Sequence, residues 1–380
     1  MKILSFFVLF LVISCKSDAK KIEEIPTTVS VENKLDYASG FTFIDNGDIK
    51  ILEIKNPWPK ADKVFKYALI NREKAAAITL DRGAYDGIIL TPVKSIVVTS
   101  TTHLPAIELL GVGNSLVGFP GTDYISSKYF RNRIENNELR ELGKNEDINT
   151  EVLLDLNPEL VVAFGVDGTS KTFDLIKTAN IPVIYNGDWV ESSPLAKAEW
   201  IKFFGILFEK EAQADSIFKN IEAEYLKAKK IAANSGNSPS ALSGALHQDV
   251  WYLPSGDSPE AQFFKDANID YLWKDTSAKG SLGLSFEAVL EKAKSAQLWF
   301  NPSYYSSLEQ LEKSNPHYKE FDAFQNKQVY SFVNKKGATG GVLYYEEAFA
   351  RPDLVLKDIV KIAHPNLLPN YTPYFFQALD

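Results

Sequence analysis

The sequence has 380 residues but only one cysteine, four histidines and no surplus of positive charge. A single cysteine excludes an internal disulfide framework and any cysteine-rich zinc cluster. A bare zinc or manganese site needs about three histidines and a carboxylate converging on one ion. Of the four histidines, His364 lies in a C-terminal helical string and His317 follows Asn315-Pro316 in a loop. Only His103 and His247 remain, so a bare-metal receptor is the weaker alternative. The net charge of −8 leaves no basic face for nucleic acid, and the one basic cluster is Lys16 to Lys21.

Catalytic signatures are scarce as well. There is no nucleophile elbow, no Walker loop and no His-Glu-x-x-His. Gly111-Val112-Gly113 starts like a dinucleotide fingerprint, but Leu116 replaces the third glycine and a helix precedes it. The loop Gly337 to Gly341 lacks the Lys-Ser/Thr pair that phosphate binding requires. The sequence therefore points away from an enzyme and from any resident cofactor. An anchored enzyme and an adhesion lipoprotein stay open as alternatives.

What is present begins with a positively charged start, Met1-Lys2, and an apolar run from Ile3 to Ile13 interrupted only by Ser5. That run is too short to span a bilayer and has the length of a signal segment. Val12-Ile13-Ser14-Cys15 resembles the bacterial lipobox. That likeness makes residues 1–15 a signal peptide and Cys15 the acylated first residue of a mature, thiol-free protein. The expected location is the periplasm, lipid-anchored to a bacterial membrane. Residues 16–36 are polar and aperiodic, as in a flexible tether.

Apolar residues at 45% and charged residues at 24% describe a globular chain large enough for two domains. Residues 37–92 read as a β-rich extension: alternating runs at 41–44 and 49–54 flank Asn46-Gly47, which predicts a hairpin. From 93 to 210, short apolar runs alternate with helical stretches, the pattern of parallel β-α-β units. Residues 211–234 carry Ile217, Ile221, Tyr225 and Ala228 on one helical face, predicting a helix of about 34 Å. The α/β alternation resumes over 240–366, with Ala241 to Leu246 as a candidate strand, ending in a helix from Tyr345 to Ile362 and a tail at 367–380. The fold class expected is α/β, with two Rossmann-like lobes joined by a single long helix and an N-terminal β-hairpin extension. A helical connector implies that the lobes hinge little.

The string from Ala350 through Arg351-Pro352-Asp353 to His364-Pro365 resembles the C-terminal helix of the iron-siderophore and vitamin B12 periplasmic binding proteins. A second match runs from Asp147 to Val161, and a third at Leu284 to Leu290 repeats its theme. The resemblance covers about residues 93–366 and omits the segment at 40–90. It implies a monomeric receptor of an ABC importer that passes a metal chelate or corrinoid to a permease dimer. Such a ligand brings its own iron or cobalt. The resemblance also implies that Glu151 and Glu287, one per lobe, dock on permease arginines, a geometry suited to fork-shaped carboxylate pairing. Taken singly, each is equally a first-turn acid favoured by the helix dipole.

Ligands of open α/β sheets bind beyond the carboxyl ends of the strands. The corresponding loops offer Thr101, Thr102, His103, Phe119, Tyr124, Phe164 and Trp189 in lobe one. Lobe two offers Trp251, Tyr252, Ser281, Tyr304, Tyr305, Lys335 and Lys336. Rings with polar tips dominate, which suits a large, flat or lobed ligand. Trp251 and Tyr252 fit a strand buried in lobe two equally well. Lys335 and Lys336 also read as a solvated pair, and His103 as a helix cap.

Overall fold

The computed structural model describes residues 31–32, 35–145, 147–168, 170–278 and 280–380. The signal segment, Cys15 and most of the tether lie outside the described residues. Among the described residues, no helix is long and apolar enough to cross a membrane.

Each lobe is built on a five-stranded sheet. In lobe one the order is Val183–Asn186, Leu160–Phe164, Ile96–Val98, Leu116–Phe119, Arg140–Glu141, all parallel. Helices cover both faces, so Ile96, Val97, Val98 and Leu160 to Ala163 are all buried. In lobe two the order is Asp270–Tyr271, Ser240–Ser243, Leu298–Phe300, Val329–Ser331, Gln377–Ala378. Its first four strands are parallel and the last runs antiparallel.

The connector is the helix Glu211–Ala233, 23 residues long. Its buried residues, Ala214, Phe218, Ile221, Tyr225, Ala228 and Ala232, recur every three or four positions and form one stripe. The first three belong to the core of lobe one and the last three to that of lobe two. One helix face thus serves both cores, and Phe218 takes the inward place expected of Ile217. Tyr225 donates to buried Asp266 at 2.7 Å, tying the connector to lobe two.

Three expectations are corrected. The single helix expected over Tyr345 to Ile362 is two, Leu343–Glu347 and Pro352–Ala363. Pro352 lacks an N–H and its ring would clash with the preceding turn, so the chain breaks at Arg351. The run Ala241 to Leu246 also divides: Ser240–Ser243 stays in the main sheet, while Ala245–His247 joins Val250–Pro254 and Ser281–Leu284 in a separate antiparallel sheet. The turn between them sits at Gly244, with φ +80°, where a Cβ would lie 1.8 Å from the Tyr252 carbonyl oxygen. Finally, the C-terminal tail is part of lobe two. Phe375, Phe376 and Leu379 are buried. Asp358 accepts from the backbone N–H groups of Tyr374, Phe375 and Phe376 at 2.8, 2.6 and 3.0 Å.

The hairpin Phe41–Asp45 and Ile49–Ile54 is present, within a larger sheet that adds Val31–Glu32, Phe65–Asn71 and Gly87–Thr91. This sheet shares the core of lobe one: Phe41 packs on Trp200, and Trp58 and Phe65 on Tyr185. Two buried carboxylates hold its entry. Glu199 accepts from the N–H groups of Asp36, Tyr37 and Ala38, and Glu191 from those of Ser39 and Gly40. Burying a carboxylate is costly unless several donors converge on it, and here the backbone supplies them.

Candidate functional site

The carboxyl ends of the two parallel sheets bring some of the expected residues towards one another and hide others. In lobe one, Ser100 starts a short turn, Thr101–His103, by accepting the Thr102 N–H. Thr101 and Thr102 are half-buried. His103 is fully buried, and neither ring nitrogen has a partner. Burial drives its pKa down to about 3, which keeps the ring neutral beside Phe204. Phe119 is a core residue. Phe164 and Trp189 form a half-buried pair with centroids 5.6 Å apart, and the Trp189 Nε1–H donates to the Gly165 carbonyl. Tyr124 is exposed.

In lobe two, Trp251 is a core residue, stacked on Trp299 at 5.5 Å with Tyr318 and Phe321 around it. Its Nε1–H is satisfied by the Ser243 carbonyl. Phe119, His103 and Trp251 thus present no surface to a ligand in this structure. The cause is shared: their side chains point inward, under a sheet or helix that covers them. Tyr252 and Ser281 are exposed on the small antiparallel sheet. Tyr304 is exposed, and its hydroxyl lies 3.3 Å from that of Tyr345, while Tyr305 is half-buried. Lys336 is exposed and Lys335 half-buried, and neither makes an ion pair among the described residues. His247 is exposed beside Tyr252, in the other lobe from His103.

The lobes meet directly along residues 337–349. The glycine-rich loop lies on lobe one so closely that a Cβ at Gly337 would stand 2.7 Å from Ser126 Cα. A Cβ at Gly341 would stand 2.5 Å from the Tyr124 carbonyl oxygen. The Thr339 hydroxyl donates to the Asp123 carbonyl at 2.7 Å, and the Ser126 hydroxyl to that of Gly341 at 3.1 Å. Glu346, on the short helix that follows, is buried and accepts from the N–H groups of Ser126 and Ser127. Close by, the Lys197 ammonium sits 4.0 Å from the Phe349 ring centre.

Two further polar residues stand at this strand end and were not among those expected. Asn186 ends its strand fully buried, with its amide nitrogen unpartnered. Asp188, two residues on, has one oxygen unpartnered; burial raises its pKa to about 6 despite a hydrogen bond from Thr102 and the nearby Lys197. Their place directly after an apolar strand, beside Trp189, is the signal that the sequence holds for them.

Glu151 and Glu287 are both exposed in the first turns of their helices, behind the caps Asn149 and Ser285. Glu287 borders a cavity of about 550 Å³ that includes Phe286, Leu290 and His317.

An uncharacterized lipoprotein of Methanocaldococcus jannaschii is 25% identical over 76% of this chain and 69% of its own length. A possible iron-binding, periplasmic solute-binding protein of Staphylococcus epidermidis superposes with a TM-score of 0.56 at 15% identity, covering 72% of this chain and all of that one. A periplasmic heme-binding protein of Roseiflexus sp. gives 0.53 at 19%, covering 70% and 99%. The family model described as periplasmic binding protein matches residues 96–334, from the first strand of lobe one to just beyond the last parallel strand of lobe two. It leaves the N-terminal sheet outside. By this match over more than half of its length, the chain belongs to the periplasmic binding protein family.

Proposed function

We propose that this protein is the receptor of an ATP-driven importer and captures a ferric siderophore, haem or cobalamin-type ligand between its lobes. The observation that carries the proposal is the meeting of the two strand-end surfaces along residues 337–349. Polar atoms without partners lie at that boundary on Asn186 and Asp188. Rings stand at the strand ends of each lobe, Phe164 with Trp189 in lobe one and Tyr304 with Tyr345 in lobe two. A ligand held there meets aromatic faces together with polar groups, a mixture suited to a chelate. The names of several similar structures, which include iron-, heme- and Fe3+-hydroxamate-related proteins, support this ligand class.

In this proposal no bond of the ligand is made or broken. The protein works as a monomer, anchored at the periplasmic side of a membrane through acylated Cys15, and presents Glu151 and Glu287 to a permease dimer. Two relatives carrying the name lipoprotein support the anchor. The test is calorimetric titration of the chain lacking residues 1–15 with cobalamin, haem and a panel of ferric siderophores. One-to-one binding of one of them is expected, and silence across the whole panel would sink this ligand class.

A further inference from the structure

The helices that carry Glu151 and Glu287 hold equivalent places. Each is capped at its N-terminus, by Asn149 or Ser285, and each leads into a strand that pairs with the first parallel strand of its lobe. Each also carries the same frame of residues: Glu151, Leu154 and Asp155 in lobe one, Glu287, Leu290 and Glu291 in lobe two. Spacings of three and four put the side chains of a frame on one helix face, the two acids about 5 to 6 Å apart at Cβ. All four carboxylates are exposed, and none makes an ion pair among the described residues.

The helices themselves gain nothing from the second acid of each frame. Glu151 and Glu287 stand in the first turns, where the helix dipole favours a carboxylate. Asp155 and Glu291 stand in the last turns of Thr150–Leu156 and Phe286–Ala293, where the dipole disfavours one. A like-charged pair at i,i+4 is unfavourable as well.

The leucine between the acids is open to solvent. Leu154 is 40% exposed. Leu290 is half-buried and lines the cavity of about 550 Å³ together with Phe286 and the His317 ring, whose centroids are 5.9 Å apart. At that cavity Glu320 is taken up by His317, at 2.7 Å, and Lys294 is the one ammonium group among the lining residues. Scattered exposed leucines are ordinary, but these recur at one position of two matched helices, each inside the same charged frame.

We infer that each frame is one half of the docking surface, so that each lobe offers the permease a leucine held between two carboxylates. This rests on the docking reading proposed above and extends it to Leu154, Asp155, Leu290 and Glu291. The occupant is the periplasmic face of the permease dimer, and its chemistry follows by complementarity. Each half of the dimer presents two cationic side chains around an apolar one. Guanidinium groups suit the carboxylates best, because they pair in a fork and are weakly hydrated. Four carboxylates steer such a partner from a distance, and the apolar contact fixes the register once the surfaces meet.

The experiment places a photo-crosslinking residue, p-benzoylphenylalanine, at position 154 or 290 of the full-length chain in its own cells. Irradiation should join both positions to the same integral membrane protein, at peptides that contain arginine or lysine. Position 226 on the connecting helix, where Leu226 is 45% exposed, should give no such product. Asp155→Asn combined with Glu291→Gln should lower the yield about tenfold or more, the value of one charge-assisted contact, without lowering the melting temperature. The inference is overturned if the two positions join different proteins or none. It is overturned equally if the Asp155→Asn, Glu291→Gln variant cross-links as strongly as the parent. In that case, loss of the product on Glu151→Ala with Glu287→Ala would leave the docking reading standing, and its persistence would remove that reading too.

Discussion

The carboxylate of Glu346, in lobe two, accepts the backbone N–H of Ser126, in lobe one, at 2.6 Å. Ser127 donates to its other oxygen at 2.9 Å, so one buried side chain spans the lobe boundary through two bonds. A buried backbone N–H left without an acceptor costs about 1 to 3 kcal/mol. Replacing Glu346 with alanine leaves both donors unpaired. The Glu346→Ala protein should show faster amide exchange at Ser126 and Ser127 and a larger radius of gyration by X-ray scattering. Exchange and radius equal to the wild type would mean that the remaining contacts hold the lobes without it.

The same residue predicts a pH dependence. Burial raises the pKa of Glu346 to about 7, with Glu347 and Glu108 as like charges nearby, and that of Asp188 to about 6, with Glu191 opposing and Lys197 favouring its charge. A carboxylate whose folded pKa lies above its unfolded one binds its proton more tightly in the native state. Its contribution to stability is complete below the unfolded value, near 4.5 or lower, and is lost as pH rises through about 6 to 7. Urea melts should therefore show stability falling from pH 5 to pH 8, by on the order of 2 kcal/mol from these groups. Glu346→Gln with Asp188→Asn, which imitates the protonated forms, should flatten the slope. An unchanged slope would place the dependence elsewhere.

Asp358 predicts that the C-terminal tail is structural. Besides the three backbone donors of residues 374–376, it accepts from the Tyr371 hydroxyl at 2.6 Å. Asp358→Ala should cost on the order of 3 kcal/mol, because four donors lose one acceptor. Truncation after residue 366 should do at least as much, since it uncovers the pocket that Phe375, Phe376 and Leu379 fill. Either variant melting like the wild type would contradict this role.

Where local periodicity decides an element, the sequence was sufficient. The helix Glu211–Ala233 and the hairpin around Asn46-Gly47 follow from apolar spacing and turn chemistry alone. The two-residue strand Gln377–Ala378 carries no period, and its place depends on Asp358 and the strand beside it. The same limit explains the candidate site. A strand-end position is legible, but whether a side chain turns towards ligand or core depends on what packs over it. Trp251 lies inward because the small antiparallel sheet folds over lobe two, beginning at Gly244. Contacts such as Glu346 to Ser126 join residues 220 positions apart and leave no trace in local pattern.

The anchor assignment rests on Val12-Ile13-Ser14-Cys15 and is tested by Cys15→Ser. Without a thiol to acylate, the protein should leave the membrane fraction and appear in the soluble extract. Multi-chain acylation holds a protein on a membrane where one chain is marginal, so with no thiol to carry the lipid the release should be close to complete. Retention in the membrane fraction would show that something other than the lipid holds it.

The docking assignment makes the sharpest functional prediction. Glu151 and Glu287 are exposed and lie on different lobes, so neither takes part in the lobe boundary or in a core. Substituting both with alanine should leave chelate affinity and melting temperature as they are, because exposed first-turn acids contribute only about 0.3 to 1 kcal/mol to their helices. Uptake of the chelate by cells should nevertheless fall to background, since each carboxylate is the proposed partner of one permease arginine. Charge reversal to lysine should be more severe than alanine, because it places like charges opposite each other. If the double alanine variant imports at the wild-type rate, the two glutamates are helix-terminal acids and nothing more. If it loses ligand affinity as well, the site extends to these helices and the lobe-boundary location must be revised.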